Sequence, residues 1–583
     1  MFSKITEEEI LSLIRVAQGK EQADLVLRGG RVLNVYSGEI LEQDVVIKGT
    51  RIAYVGDAKQ LISSADQVMD VSGLVLSPGY FDPHAHADLV YDITSLAQAI
   101  LPLGTTALFS DSRYIGFTLG ARGMDLLRME GEALPMKVCF GIPATPPSFP
   151  DIEGRNPMDL RTYESLLEKP DLVSLSEVYQ WIQINRQDKD LIHRFQMAKN
   201  HGRRIEGHLP GASLQSLTPS VIAGVTSDHE AITAEEVLHR IRLGLHVMLR
   251  HGSIRDDLPS LAPLIREQQI DTSRLMLTPD FMNPADILEK GYMDYVIRVA
   301  IKEGIPPMKA YQMSTLNPAT YFHLDGEMGG ISPGKVADIL LLKGLSEPTP
   351  LRVMVNGQWI SEGKRLLVDI RRPHFSFPTR AKIDSGWISQ DHLRLRSDSP
   401  SSQEVPAITF LNKTVTKLEK ISLPVEDGLV VPDPDQMVQK IAMPRPDRSG
   451  VSVAFVKGFT RDLGAISVGI CHDSVLPFVL GSDDKDMAFA FRWLAETGGG
   501  MIIVHRGEVL FELPFPLGGV ASDLPMNQLA DRLSQFERII REFGCPLQDP
   551  FMTFLFIPFT ALPYVRMTPF GLLDVIPLRL IKG

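Results

Sequence analysis

The stretch SPGYFDPHAHADL, residues 77–89, places His84 and His86 one residue apart, directly after an apolar run and a Pro-Gly turn. Side chains two apart on a strand share a face, so a strand ending here presents both imidazoles to one ion. Taken alone, the pair also reads as two histidines in a polar loop. Chance placement of 14 histidines in 583 residues gives on the order of 0.3 His-x-His pairs. The surrounding pattern adds weight. Between residues 79 and 333, the runs ALFSD, VCFGIPA, LVSLSEV, RIEGHLPG, VTSDHE, HVMLRHGS and LMLTPD alternate with amphipathic helical stretches. Seven or eight such units in roughly 250 residues match a (β/α)8 TIM barrel, whose reactive side chains sit at the C-terminal ends of the strands. A doubly wound sheet is the alternative, but no Gly-rich phosphate loop follows the first strand.

On either side of the barrel the pattern changes. Residues 23–57 alternate short β-rich runs with Gly-containing turns, and KVADILLLKG and LRVMVNGQWISEGK repeat that style from Lys335 onward. The division is therefore an N-terminal helix and β-domain over 1–78 completed by 334–372, a barrel over 79–333, a Pro-, Ser- and Arg-rich linker over 373–405, and a third domain over 406–583. In the third domain GGGMIIVHRGEVLFELP and FMTFLFIPFTALP read as strands, and MNQLADRLSQFERIIREFG as a helix. The fold class is α/β: a barrel with a flanking β-sandwich and an additional α+β domain.

A net charge of −12 argues against a broad nucleic-acid-binding face. Cys139, Cys471 and Cys545 form no CxxC pair, so neither a disulfide framework nor a thiolate zinc site is indicated. The amphipathic, acidic N-terminus lacks an apolar signal core, and no run approaches the roughly 20 apolar residues of a membrane span. A cytoplasmic protein acting on a small molecule is expected.

Glu177, His208, His229 and Asp280 each fall at or near the end of a predicted barrel strand. Four imidazoles and two carboxylates suit two divalent cations about 3.5–4 Å apart that share an acidified water. Each residue alone is an ordinary strand-end group; the ordered set is what points to chemistry. The zinc deaminase signature H-x-E with P-C-x-x-C is absent.

PGYFDPHAH, AGVTSDHEAITAEEVLHRIRLGLHVMLRHGS and GKVADILLL resemble the adenine deaminase family of the amidohydrolase superfamily. GAISVGICHDS, ETGGGMIIVHRGEVLFELPFPLGG and ASDLP are similar to that family's C-terminal domain, which most other amidohydrolases lack. The resemblance implies metal ligation by His84, His86, Glu177, His208, His229 and Asp280, with Glu177 bridging two ions, manganese or iron, zinc being also compatible. It further implies hydroxide attack on C6 of adenine, Asp280 moving the proton to the departing amine, and a homo-oligomeric assembly. A dihydroorotase- or hydantoinase-like enzyme would carry a carbamylated lysine where Glu177 stands.

The chain departs from the family pattern at three places. Ala87-Asp88-Leu89-Val90 replaces Ile-Glu-Ser-Ser, Asp111-Ser112-Arg113-Tyr114 replaces Asp-Pro-His-Glu, and Leu277-Thr278-Pro279-Asp280 replaces Cys-Thr-Asp-Asp. Asp88 and Arg113 within these changes, and Ser227 of the Ser-Asp-His-Glu segment, are the nominated substrate contacts. Arg113 reads either as a contact for an anionic group or as a solvated surface residue. Glu230 is a second catalytic candidate, bonding a ligand imidazole or substrate nitrogen, with a barrel-rim salt bridge as the plainer reading. His472 and Asp473 read as structural. The rival functions are an amidohydrolase acting on another heterocyclic amine or cyclic amide, and a non-catalytic binding protein on this scaffold.

Overall fold

The structure is a computed structural model that describes residues 5–62, 65–144, 158–469 and 476–581. Eight parallel strands form its centre: β1 (Tyr80–Ala85), β2 (Thr105–Ser110), β3 (Lys137–Ile142), β4 (Leu172–Val178), β5 (Arg204–Gly207), β6 (Ser227–Asp228), β7 (His246–Arg250) and β8 (Leu275–Thr278). β1 to β5 form one sheet and β6 to β8 another. Thr226 N donates to Ile205 O at 2.9 Å on one side, and a parallel bridge joins Ala85 to Asp280 on the other, so the ring closes. Phe81, Ala107, Phe109, Cys139, Val173, Met248 and Met276 share one apolar cluster, closed below by Tyr321 and Phe322. The barrel is thus a packed core with chemistry only at its mouth.

Local sequence explains the outer helices. Ala234–Arg242 starts at Thr233, whose hydroxyl accepts from Glu236 N while Glu236 caps Thr233 N in return, satisfying two otherwise orphaned donors. Lys189–Asn200 is capped by Asp188 in the same way as an ordinary N-cap, its side chain accepting from Leu191 N. Gly252, just beyond β7, has no room for a side chain: a Cβ would meet Pro279 O at 2.0 Å. That approach brings the ends of β7 and β8 together.

The flanking β-domain is one nine-stranded sheet in which Val75–Pro78 pairs antiparallel with Ile339–Leu342, joining the segments before and after the barrel. Leu25, Leu27, Val45, Ile47 and Ile52 share a core with Ile339, Leu341 and Met354, and a bridge links Arg51 to Val336, so the sheet folds over a common interior. Val26 and Val46 point to the other face, where Val16 of the helix Glu7–Ala17 covers them. A buried ion pair, Lys137 to Asp338 at 2.5 Å, ties this domain to β3.

A second nine-stranded sheet, running from Ser402–Phe410 to Glu508–Pro514, carries the helices Asp484–Thr497 and Met526–Glu542. Residues 373–401 hold little regular structure, yet Ile383, Ile388 and Leu393 are buried, and Ser385 Oγ donates to Phe491 O at 2.6 Å. FMTFLFIPFTALP is not a strand. Its first half forms the helix Pro550–Phe556, because Pro550 presets the first turn and Asp549 accepts from Met552 N at 3.0 Å. This cap overrides the β-propensity of a Phe-rich run. Val90–Tyr91, just past the histidine pair, pairs in parallel with Ala521–Ser522 of the C-terminal sheet region. No helix among the described residues is long and apolar enough to cross a membrane.

Candidate metal centre

The strand ends converge. His84 and His86 follow from β1, Glu177 sits in β4, and His208 and His229 stand just beyond β5 and β6. Asp280 lies two residues past β8 in a left-handed conformation, φ 65°. His86 Nε2 and His84 Nε2 lie 3.0 and 3.4 Å from Asp280 Oδ1. On the other side His208 Nδ1 and His229 Nε2 lie 3.0 and 3.1 Å from Glu177 Oε2, and 3.1 Å from each other. Glu177 stands between the two groups, with Oε2 3.7 Å from His84 Nε2 and Oε1 3.9 Å from His86 Nε2. All six side chains are buried.

These spacings fit cations. Ligand atoms about 2.1 Å from an ion lie roughly 3.0–3.4 Å apart across an octahedral or tetrahedral edge. Buried His84 Nε2, His208 Nε2, Glu177 Oε2 and Asp280 Oδ1 have no hydrogen bond of their own, which is costly unless something else binds them. His84, His86 and Asp280 form one ligand group, and His84, Glu177 and His229 another.

Electrostatics keep the acids ionised. Burial alone raises a carboxyl pKa, but Arg113 and His208 hold Glu177 well below its usual range, and His84 and His86 do the same for Asp280. Glu230 is likewise opposed by burial yet falls to about 2 beside Arg250. Burial would make His84 less basic, but Asp280 outweighs it and lifts the imidazole to about 9, whereas burial and His84 together depress His229.

Two nominated substrate contacts, Asp88 and Ser227, are not among the residues lining the cleft. Asp88 is buried away from the cleft, and its Oδ2 accepts from Ile115 N at 2.8 Å, holding the helix Arg113–Leu119. Ser227 shares the phase of His229 but lies two residues earlier, one layer deeper in the barrel. There its hydroxyl donates to Glu206 Oε2 at 2.6 Å, in a network with Ser174 and Tyr321. Arg113 is not a solvated residue: it is 1 % exposed, lines the cleft, and places Nη1 2.6 Å from Glu177 Oε1. Its guanidinium lies over the rings of Tyr179, Tyr114 and Phe559 at 4.9, 5.2 and 5.4 Å. Glu230 combines both readings: Oε1 accepts from Arg250 at 2.6 Å and stands 3.7 Å from both His208 and His229. Cys471, His472 and Asp473 lie outside the described residues.

Three features were missed in the sequence. Arg250 Nη1 also donates to Asp280 Oδ2 at 2.8 Å, linking the two acids. Strand phase gives the clue, since Met248 points into the barrel and Arg250 follows two residues later at its mouth. Asp82 accepts from Tyr292 Oη at 2.6 Å and Thr278 Oγ1 at 2.8 Å, while Thr278 Oγ1 reaches His84 O at 2.7 Å, stapling β1 to β8. Finally, Thr414, Phe556, Phe559 and Leu562 of the C-terminal domain close one wall of the cleft. Arg566 braces that wall by donating to Phe556 O and Thr414 O, both at 2.7 Å. No short-range signal ties residue 559 to His208, although their rings lie 6.1 Å apart.

Comparison with known proteins matches both parts of the chain that meet at this cleft. Residues 75–360 match the model of the amidohydrolase family, and residues 413–577 that of the adenine deaminase C-terminal domain. Adenine deaminase of Moorella thermoacetica is 35% identical over 581 residues, covering 98% of this chain and 97% of that protein. The chain belongs to the adenine deaminase family. Adenine deaminases of Kosmotoga olearia and Clostridium botulinum (strain Langeland) are each 31% identical, covering 97% of both chains and 98% of both chains respectively. In this family member the cleft therefore lies where an amidohydrolase barrel meets the family's additional domain.

Proposed function

We propose that the protein hydrolyses adenine to hypoxanthine and ammonia at a divalent metal centre held by His84, His86, Glu177, His208, His229 and Asp280. The observation that carries this reading is the convergence of these six side chains from five separate strand ends, with ligand atoms 3.0–3.9 Å apart. The imidazole and carboxylate donors suit manganese or iron, with zinc also compatible, and two ligand groups give room for two ions. Bound ions of this kind supply Lewis acidity, which makes hydroxide available near neutral pH.

The chain's own residues do the rest. Asp280 Oδ1 faces both His84 and His86, while Arg250 holds Oδ2, and this fixed carboxylate is the group placed to take a proton from water and pass it to the departing amine. Glu230, fixed by Arg250 and edged by Arg255 at 3.7 Å, offers a second carboxylate to a ring nitrogen. Phe556, Phe559 and Leu562 present an apolar wall to a planar purine and keep bulk water out.

Arg113 favours a second reading, in which the substrate is a related heterocyclic amine carrying an anionic or carbonyl group. Ammonia release from adenine, other purines, pterins and cyclic amides by the manganese-loaded enzyme separates the two. Turnover of adenine above the rest is expected; no turnover of adenine sinks the first reading, and binding of no divalent ion favours the non-catalytic alternative. We also propose homo-oligomeric assembly in the cytoplasm, to be checked by light scattering and cell fractionation.

A further inference from the structure

The pair His208 and His229 on one side of Glu177 and the group His84, His86 and Asp280 on the other are not equivalent, and the difference lies in the arginines. Around Glu177 Oε2, His208 Nδ1 and His229 Nε2 form a triangle with edges of 3.0–3.1 Å. That oxygen pairs with His84, His208 and His229, at 3.7, 3.0 and 3.1 Å. Around His84, His86 and Asp280 the outer carboxylate oxygens are taken. Arg113 Nη1 lies 2.6 Å from Glu177 Oε1, the oxygen facing His86, and Arg250 Nη1 lies 2.8 Å from Asp280 Oδ2. Both guanidiniums are buried and cannot swing to water: Arg113 is boxed by Tyr114, Tyr179 and Phe559, and Arg250 by Glu230 and Asp257.

Charge balance points the same way. Asp111, Glu177, Glu230, Asp257 and Asp280 bring five carboxylates to the centre and its rim, and Arg113, Arg250 and Arg255 offset three of them. The remaining two negative charges match one divalent ion. A second ion would sit within a few ångströms of both guanidiniums in a buried setting, where like charges repel strongly.

We propose that the centre is unequal: one divalent ion is held tightly by His208, His229 and Glu177, and a second binds much more weakly at His84, His86 and Asp280 because Arg113 competes for Glu177. This rests on the metal reading given above and extends it to stoichiometry. It makes Arg113 a positioning residue that sets the occupancy of the second position.

The test is a metal titration of the full-length protein after chelator treatment. Manganese chloride is followed by calorimetry, by equilibrium dialysis and by electron paramagnetic resonance. The wild type is expected to bind one equivalent with an isolated six-line manganese signal, and a second at least about 100-fold more weakly. Arg113→Gln should tighten the second equivalent by about tenfold or more while moving the first less than about threefold. Arg113→Lys keeps the positive charge and should preserve the inequality. Two equivalents of similar affinity in the wild type overturn the proposal, and this result needs no variant to fold. An unchanged ratio in a folded Arg113→Gln also overturns it. Absence of any bound ion would instead bring down the metal reading itself.

Discussion

Replacing Arg250 by Met isolates the contribution of a residue that touches both candidate catalytic acids. Its Nη1 serves Glu230 Oε1 at 2.6 Å and Asp280 Oδ2 at 2.8 Å, and its Nη2 lies 3.6 Å from Asp257. A charge pair 2.8 Å apart attracts by about 6 kcal/mol at an effective dielectric of roughly 20, most of it offset by the cost of desolvating the arginine. Met removes the attraction but leaves the carboxylates buried, which costs about 3–5 kcal/mol. That cost is met either by local opening or by protonation of an acid whose anionic form the reaction needs. In either case kcat falls by about 10²-fold or more, since one pKa unit corresponds to about 1.4 kcal/mol. KM should move less, because Arg250 holds catalytic groups more than the ring. Ammonia release measured beside metal content and a thermal melt provides the assay. If Arg250→Met keeps its metal and retains kcat within about threefold of wild type, the coupling drawn here between Arg250 and Asp280 is wrong.

Two further outcomes follow from other parts of the molecule. Phe559→Ala should raise KM for adenine by about 10- to 100-fold with kcat little changed, because about 1.5–3 kcal/mol of aromatic burial is lost; an unchanged KM would remove the C-terminal wall from substrate binding. At the opposite end of the barrel, burial together with Arg274 and Arg204 lowers His246 from 6.5 to about 4. A depressed histidine pKa gives stability that is present above about pH 6.5 and lost as pH falls towards 4, because the unfolded chain binds the proton more tightly. The loss should reach about 2 kcal/mol after allowance for partial exposure, and His246→Gln should show a flatter melting profile across that window. Parallel profiles would refute it.

The sequence made the barrel readable because strand runs and polar ends repeat at a spacing that few other folds need. LVSLSEV is β4 residue for residue, and the remaining runs overlap their strands. The six candidate ligands were visible for the same reason, since each follows an apolar run. What stayed hidden depended on burial. Asp88 and Arg113 both occur in polar-looking turns, and nothing local says that one holds a backbone N–H while the other lies under Phe559. Ser227 lies one layer below the mouth, bonded to Glu206, a placement set by strand stagger and not by residue type. The contribution of residues 556–562 is non-local altogether, and a Phe-rich run reads the same whether it fills a core or walls a cleft.

Val90–Tyr91 and Ala521–Ser522 join as a two-stranded ribbon only four residues beyond His86. The C-terminal domain is thereby stitched to the very loop that leaves the first ligand pair, and Val90 holds a φ of 70°, an unusual geometry for a β-branched residue. Removing the C-terminal domain, even with the barrel left whole, would release that stitch and let the loop relax. An engineer who wants a smaller catalyst from this chain must therefore redesign the exit from His86 before discarding anything downstream.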